Sequence, residues 1–188
     1  IESGTACGWE STDVRSHETV AIRARQVVVA TGGWMDALGT PAHGSWTRAY
    51  NIIVKKRFFG EYGVGLETTG DYPDECAVLK RGKRNYFFAP WREGTIIGTM
   101  YKVFSGDPSA CGLTPEEIQS YLDEINALYP EAALTIPDVT FTHAGILPSR
   151  RRKDGAPGAD PAKDTVIVDA VRAGGARELT YIRGVKYT

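Results

Sequence analysis

The sequence predicts an α+β fold: a mostly antiparallel sheet with covering helices, flanked by pieces of an α/β unit. Three observations carry that expectation. Short β-branched and aromatic runs recur between turns rich in Gly and Pro. One segment has the caps and periodicity of an amphipathic helix. A valine run ends in Thr-Gly-Gly, the pattern of a buried strand, often a parallel one.

From Thr19 to Arg25 apolar Val20 and Ile22 alternate with Thr19, Arg23 and Arg25, which predicts a half-buried strand. Val27-Val28-Val29-Ala30 is continuous and stops at Thr31-Gly32-Gly33. The chain then loosens through Gly39-Thr40-Pro41 and Gly44-Ser45, which places a domain boundary there. Strands are expected at Asn51-Ile52-Ile53-Val54, at Asn85-Tyr86-Phe87-Phe88-Ala89 and at Thr95-Ile96-Ile97-Gly98-Thr99. The last two are joined through Pro90-Trp91-Arg92-Glu93-Gly94, a hairpin connection.

The helix runs from Thr114 to Tyr129. Thr114 is its N-cap, Pro115 takes the first helical position and Glu117 completes a capping box. Ile118, Tyr121, Leu122, Ile125 and Leu128 share one face, and Pro130 stops the helix. Pro148 to Lys163 reads as a polar loop. Thr165 to Asp169 and Leu179 to Ile182 read as strands around a Gly174-Gly175 turn. The organisation expected is therefore 1–44, 45–145 and 146–188, with the first and last segments belonging together.

Composition narrows the function classes. The 188 residues are 42% hydrophobic and 24% charged, ordinary for a globular protein. A net charge of -1 argues against a basic nucleic-acid binder. No apolar run approaches the roughly 20 residues that span a bilayer, and no amphipathic basic helix supports membrane association. Cys7, Cys76 and Cys111 make an odd count without a CxxC pair, so reduced thiols and a cytoplasmic location are expected. His17, His43 and His143 show no metal-ligand spacing, and no metal is expected. The chain opens at Ile1 without a signal-peptide pattern or an initiator Met, and it stops at Lys186-Tyr187-Thr188. A longer parent protein is expected.

A buried strand followed by small residues, as at Val29 to Gly33, lets a backbone approach a ligand beyond the strand's carboxyl end. On spacing alone the same run fits a plain tight turn. It also resembles the second dinucleotide motif of two-domain flavoenzymes, where a strand ends in Ala-Thr-Gly beside the cofactor, and the likeness continues into Trp34-Met35-Asp36. Phe87-Phe88-Ala89-Pro90-Trp91 with Thr95-Ile96-Ile97-Gly98-Thr99 resembles the substrate-domain hairpin of FAD-dependent glycerol-3-phosphate dehydrogenases, within the DAO-type FAD-dependent oxidoreductases. Gly106-Asp107-Pro108 and the capped helix follow in the same order. His143-Ala144-Gly145-Ile146-Leu147-Pro148 resembles that family's Gly-x-Arg-Pro segment. Arg183-Gly184-Val185-Lys186-Tyr187-Thr188 resembles its Gly-Gly-Lys-x-Thr.

The resemblance covers roughly Val20 to Thr188. It implies that 1–44 and 146–188 belong to an FAD-binding domain and 45–145 to a substrate-binding domain. It implies FAD as cofactor, with Ala30, Thr31, Gly32 and Gly33 along the FAD edge, Gly145 and Gly184 leaving room for the isoalloxazine ring, and Thr188 beside the flavin. Lys186 takes the place of the family's catalytic lysine, and Lys163 that of a phosphate-binding Arg. Asn51 takes a substrate-side position. No GxGxxG occurs in the chain; in the family that fingerprint lies near the N-terminus.

The implied reaction is oxidation of a secondary alcohol such as sn-glycerol 3-phosphate by hydride transfer to flavin, with a small molecule as partner and no particular electron acceptor. Three places depart from the pattern. Leu147 stands where the family has an Arg that would grip an anion through two hydrogen bonds. Met100-Tyr101 replaces Thr-Asp, and Asn51 replaces a His. Arg150, Arg151 and Arg152 lie just beyond Leu147, as a substitute anion clamp or as a solvated loop. The departures keep other readings open: an amine- or 2-hydroxy-acid-oxidising relative, a binding module without cofactor, or a piece inactive without its FAD fingerprint.

Overall fold

A computed structural model describes residues 1–38, 45–68, 83–149, 161–162 and 164–184. Lys163, Lys186, Thr188, Arg150–Arg152, His43 and Cys76 lie outside the described residues, as does the expected boundary at 39–44. In chain order the first strands are β1 (Gly8–Thr12), β2 (Thr19–Arg23), β3 (Val27–Val29), β4 (Ser45–Val54) and β5 (Val64–Glu67). Then come β6 (Asn85–Trp91), β7 (Gly94–Phe104), helix α1 (Pro115–Leu128), β8 (Val139–Ser149), β9 (Val166–Asp169) and β10 (Leu179–Arg183). The chain divides into two compact units, Ile1–His43 with Ala162–Thr188, and Gly44–Pro161. The expected boundary at 145 moves outward because β8 stays hydrogen-bonded to β4 as far as Ser149.

In the first unit β3 pairs parallel with β10, and β10 pairs antiparallel with β9. The expected parallel strand is present, but only Val29 is buried, while Val28 is 57% exposed. β3 is the edge strand of this sheet, with β10 as its hydrogen-bonded neighbour. β1 and β2 form a separate hairpin. The half-burial expected for Val20 and Ile22 does not occur, at 52% and 58% exposed, since Ile22 lies across from Trp9, itself 46% exposed. Between β9 and β10 the chain makes a 3-10 turn over Ala170–Ala173 rather than a tight Gly-Gly hairpin. Gly174, at φ +76°, ends that turn by donating its amide to the Val171 carbonyl at 3.0 Å.

The second unit is a five-stranded antiparallel sheet in the order β5-β6-β7-β4-β8. Side chains alternate between the two faces of each strand. Tyr50, Ile52 and Val54 of β4, Tyr86 and Phe88 of β6 and Ile97 of β7 form one buried cluster with Tyr121, Leu122 and Ile125 of α1. Each apolar side chain fully buried here contributes about 1.5–3 kcal/mol. Tyr121 meets Tyr50 edge-on at 5.7 Å and donates its hydroxyl to the Ile97 carbonyl at 3.2 Å, so its one polar atom is satisfied.

Helix α1 starts as its sequence requires. The Glu117 amide donates to Thr114 Oγ1 at 3.3 Å, and the Thr114 amide donates back to the Glu117 carboxylate at 3.2 Å. Where several covering helices were expected, α1 is the one α-helix among the described residues. No helix there is long and apolar enough to cross a membrane.

Candidate functional site

The face of the second unit's sheet opposite the α1 core carries a different set of residues. Register places Phe87 of β6, Gly98 of β7, Asn51 of β4 and His143 of β8 in one row across four strands. A neighbouring row holds Ala89, Ile96, Ile53 and Phe141. Phe87, Trp91 and Phe141 are 56%, 43% and 57% exposed, large rings that a finished core would cover.

At the centre of the first row, His143 Nδ1 lies 3.0 Å from Asn51 Oδ1. An amide oxygen only accepts, so the ring nitrogen donates. Phe141 flanks the imidazole edge-on at 5.0 Å, and Trp91 does so at 6.2 Å. Gly98 makes room for the pair, since a Cβ there would stand 2.5 Å from Asn51 Cβ. The sheet is locally irregular at this point: Tyr50 pairs with Met100 and Asn51 with Gly98, leaving Thr99 as an extra residue. A cavity of about 570 Å³ opens here, lined by Ile53, Trp91, Thr140, Phe141 and His143 with the charged Lys55, Arg92 and Glu93 at its edge. That volume suits a small organic ligand.

Of the residues expected at a site, Asn51 and Gly145 lie on this face. A Cβ on Gly145 would meet nothing within 4 Å, so the surface above β8 stays flat and open. Leu147 lies across from Thr47. Met100 turns into the core at 3% exposed, while Tyr101, across from Ala49, shares the register of the open face. Burial pushes the Tyr101 hydroxyl pKa up.

In the first unit Ala30, Thr31 and Gly32 follow β3 directly and are exposed, with Gly33 buried behind them. Gly32 sits at φ +58° with open space beside its Cα, so small side chains and free backbone mark the end of the strand. Gly184 is glycine for a local reason. At φ +93° a Cβ would come 2.3 Å from the Asp164 carbonyl oxygen.

His143 is the residue that sequence reasoning passed over. A lone histidine carries no spacing signal, and its meaning appears only when β8 is set in register against Asn51. The signal available was the motif around Gly145, which was read without assigning a strand to it.

Other polar clusters of this unit serve the packed side. The Arg48 guanidinium pairs with Glu117, donates to the Gly112 carbonyl at 3.0 Å and lies 5.3 Å over the Tyr50 ring. Burial, then the Glu117 charge, pushes the Tyr50 hydroxyl up to about 12. Burial and a hydrogen bond to Glu124 raise Tyr86 further, and Arg84 pairs with the same carboxylate at 2.8 Å. Asp138 is held down to about 2, first by the Thr135 hydroxyl and amide and then by Lys56. Among the described residues no three His, Cys, Asp or Glu side chains come together as metal ligands.

Known proteins resemble this chain along most of its length. Residues 2–182 match the family model described as FAD dependent oxidoreductase. An alpha-glycerophosphate oxidase of Lactococcus lactis is 29% identical over 150 residues, 77% of this chain and 24% of that protein. A glycerol-3-phosphate dehydrogenase of Synechocystis is 28% identical over 142 residues, 72% of this chain and 26% of that protein. The chain thus spans about a quarter of the length of the curated relatives it matches. The crystal structure of the glycerol-3-phosphate dehydrogenase from Bacillus halodurans complexed with FAD shares the fold at a TM-score of 0.67. It is 23% identical, and the match covers 99% of this chain and 33% of that one. With nearly its whole length matched, the chain belongs to the family of FAD dependent oxidoreductases.

Proposed function

We propose that the chain is the substrate-side part of an FAD-dependent oxidoreductase that oxidises a secondary alcohol of the sn-glycerol 3-phosphate class. The observation that carries this reading is the open sheet face, where the Asn51–His143 pair sits among Phe87, Trp91 and Phe141 beside the bare backbone of Gly98 and Gly145. Aromatic walls exclude water, and the polar pair supplies hydrogen bonds at one point, which is how a pocket orients a small polar substrate. When bound, FAD would accept the two electrons of the oxidation.

Ala30, Thr31, Gly32 and Gly33 would support the cofactor edge in the first unit, and Gly145 would leave space for its ring in the second. Asn51 would bind substrate. Lys163 as an anion contact, and Lys186 and Thr188 beside the flavin, belong to the same proposal. So does a cytoplasmic location.

One observation favours a second reading. Leu147 occupies β8 where an anion-gripping Arg is expected, which suits an amine better than a phosphate ester, while a 2-hydroxy acid would need its carboxylate held elsewhere. A visible spectrum of the flavin-loaded protein decides, taken before and after anaerobic addition of substrate. Bleaching by glycerol 3-phosphate supports the first reading. Bleaching only by an amine or hydroxy acid supports the second, and a protein that takes up no flavin overturns both.

A further inference from the structure

Oxidation of an alcohol to a ketone removes a proton from oxygen as well as a hydride from carbon. An aqueous alcohol gives up that proton only when a group stands ready to accept it. The open face offers few such groups. Lys55 and Arg92 at the cavity edge are cations with no free lone pair. Lys55 is further occupied by the Pro137 carbonyl at 3.2 Å and by Asp138 at 3.6 Å. Tyr101 keeps its proton because burial disfavours the phenolate. Glu93 lies in the exposed turn between β6 and β7, among water. Asn51 neither gains nor loses a proton.

His143 differs from all of these. Its Nδ1 is committed to Asn51 Oδ1 at 3.0 Å, which fixes the tautomer with the hydrogen on Nδ1. Nε2 then carries a free lone pair, and no described residue bonds to it. Phe141 and Trp91 hold the ring edge-on from two sides. A half-buried imidazole with one nitrogen anchored and the other bare beside a cavity of about 570 Å³ is the arrangement of a general base.

Resting on the oxidoreductase reading above, we infer that His143 Nε2 is the proton acceptor of the reaction and that Asn51 is its positioning residue. In the step, the substrate O–H bond breaks and its proton goes to Nε2, giving an imidazolium. The O–H electron pair becomes the second bond of the new carbonyl. The C–H bond breaks and its electron pair leaves with the hydrogen as hydride to the oxidant, an oxidised flavin. The alcohol loses two electrons and two hydrogens, and both are accounted for. Gly98 takes part by absence, because any side chain there would push Asn51 out of the row.

The test uses the flavin-loaded protein that carries this chain. His143→Gln is expected to lower kcat by about 10²–10⁴-fold, with little change in KM and without the acid limb of the wild-type pH profile. Asn51→Ala is expected to lower kcat less, and Asn51→Asp, which still accepts from Nδ1–H, to restore it. A readout independent of turnover is ¹⁵N NMR of the unmodified protein, expected to show His143 protonated at Nδ1 and bare at Nε2. A hydrogen found on Nε2 instead would overturn the assignment. So would an unchanged kcat and pH profile in a folded His143→Gln whose wild type turns over. A wild type whose flavin no secondary alcohol reduces would sink the oxidation reading and the proton acceptor with it.

Discussion

The two faces of the five-stranded sheet share the same strands and divide their labour residue by residue. On β4, Tyr50, Ile52 and Val54 turn toward α1 and are at most 1% exposed, while the intervening Asn51 turns away. The packed face joins large apolar side chains to ion pairs closed by local partners, Arg48–Glu117 and Arg84–Glu124. The open face joins exposed rings to glycines and to an imidazole nitrogen without a partner among the described residues. One side therefore spends its residues on burial, and the other leaves binding capacity unused within this unit. Substitutions on the first should be read in stability, and those on the second in ligand binding and turnover.

That contrast is sharpest for Leu122→Ala against Phe141→Ala. Leu122 is fully buried, so its truncation is expected to cost about 2–5 kcal/mol, read from the urea midpoint. Phe141 is more than half exposed, and its truncation is expected to stay within about 0.5 kcal/mol. Equal losses would mean that the open face is part of the core.

Next in size is Glu117→Ala, which strands the buried Arg48 cation and removes half of the capping box. About 3 kcal/mol is expected. Thr114→Ala removes only the cap hydroxyl and should cost about 1 kcal/mol by the same measurement.

The two open-face glycines divide differently. Gly98→Ala forces a methyl against Asn51 and should cost about 1–3 kcal/mol together with turnover. Gly145→Ala meets no neighbour, so stability should stay within about 0.5 kcal/mol while flavin uptake, read from the visible spectrum, weakens. A Gly145→Ala protein that takes up flavin as the wild type does would remove Gly145 from the cofactor surface.

The smallest effect is in acid. Asp138 is held at about 2 in the folded chain against 3.8 for a free carboxyl. Its contribution is complete above about pH 4 and is lost as pH falls toward 2, because the unfolded chain takes up the proton first. Asp138→Asn should flatten the fall of the melting temperature between those pH values and leave it unchanged in slope near neutrality.

Much of the packed side was legible in the sequence. Helix α1 was readable because its signals are local: Thr114, Pro115 and Glu117 within four positions, and apolar residues repeating with the helical turn. The β6–β7 hairpin was readable for the same reason. Strand β8 was missed although Val139-Thr140-Phe141-Thr142 alternates with β-branched and aromatic residues; its second half, His143-Ala144-Gly145-Ile146, has no such pattern and is a strand through pairing with β4. β1 and β5 were missed likewise, as short strands whose partners, not their composition, make them strands. At Val20 and Ile22 alternation was real but burial did not follow, because a period describes which side chains share a face and not what covers it.

By itself the sequence determined the helix with its caps, the hairpin, the valine strand with its Ala-Thr-Gly end, and the resemblance to flavin-dependent oxidoreductases. Each rests on neighbours along the chain. Only the tertiary structure decided that Asn51 and His143, 92 positions apart, would share a hydrogen bond, and that Gly98 would clear the space for them. Strand register is set by turns and by the buried face as a whole, and a shift of one residue would have sent each of these side chains to the opposite side.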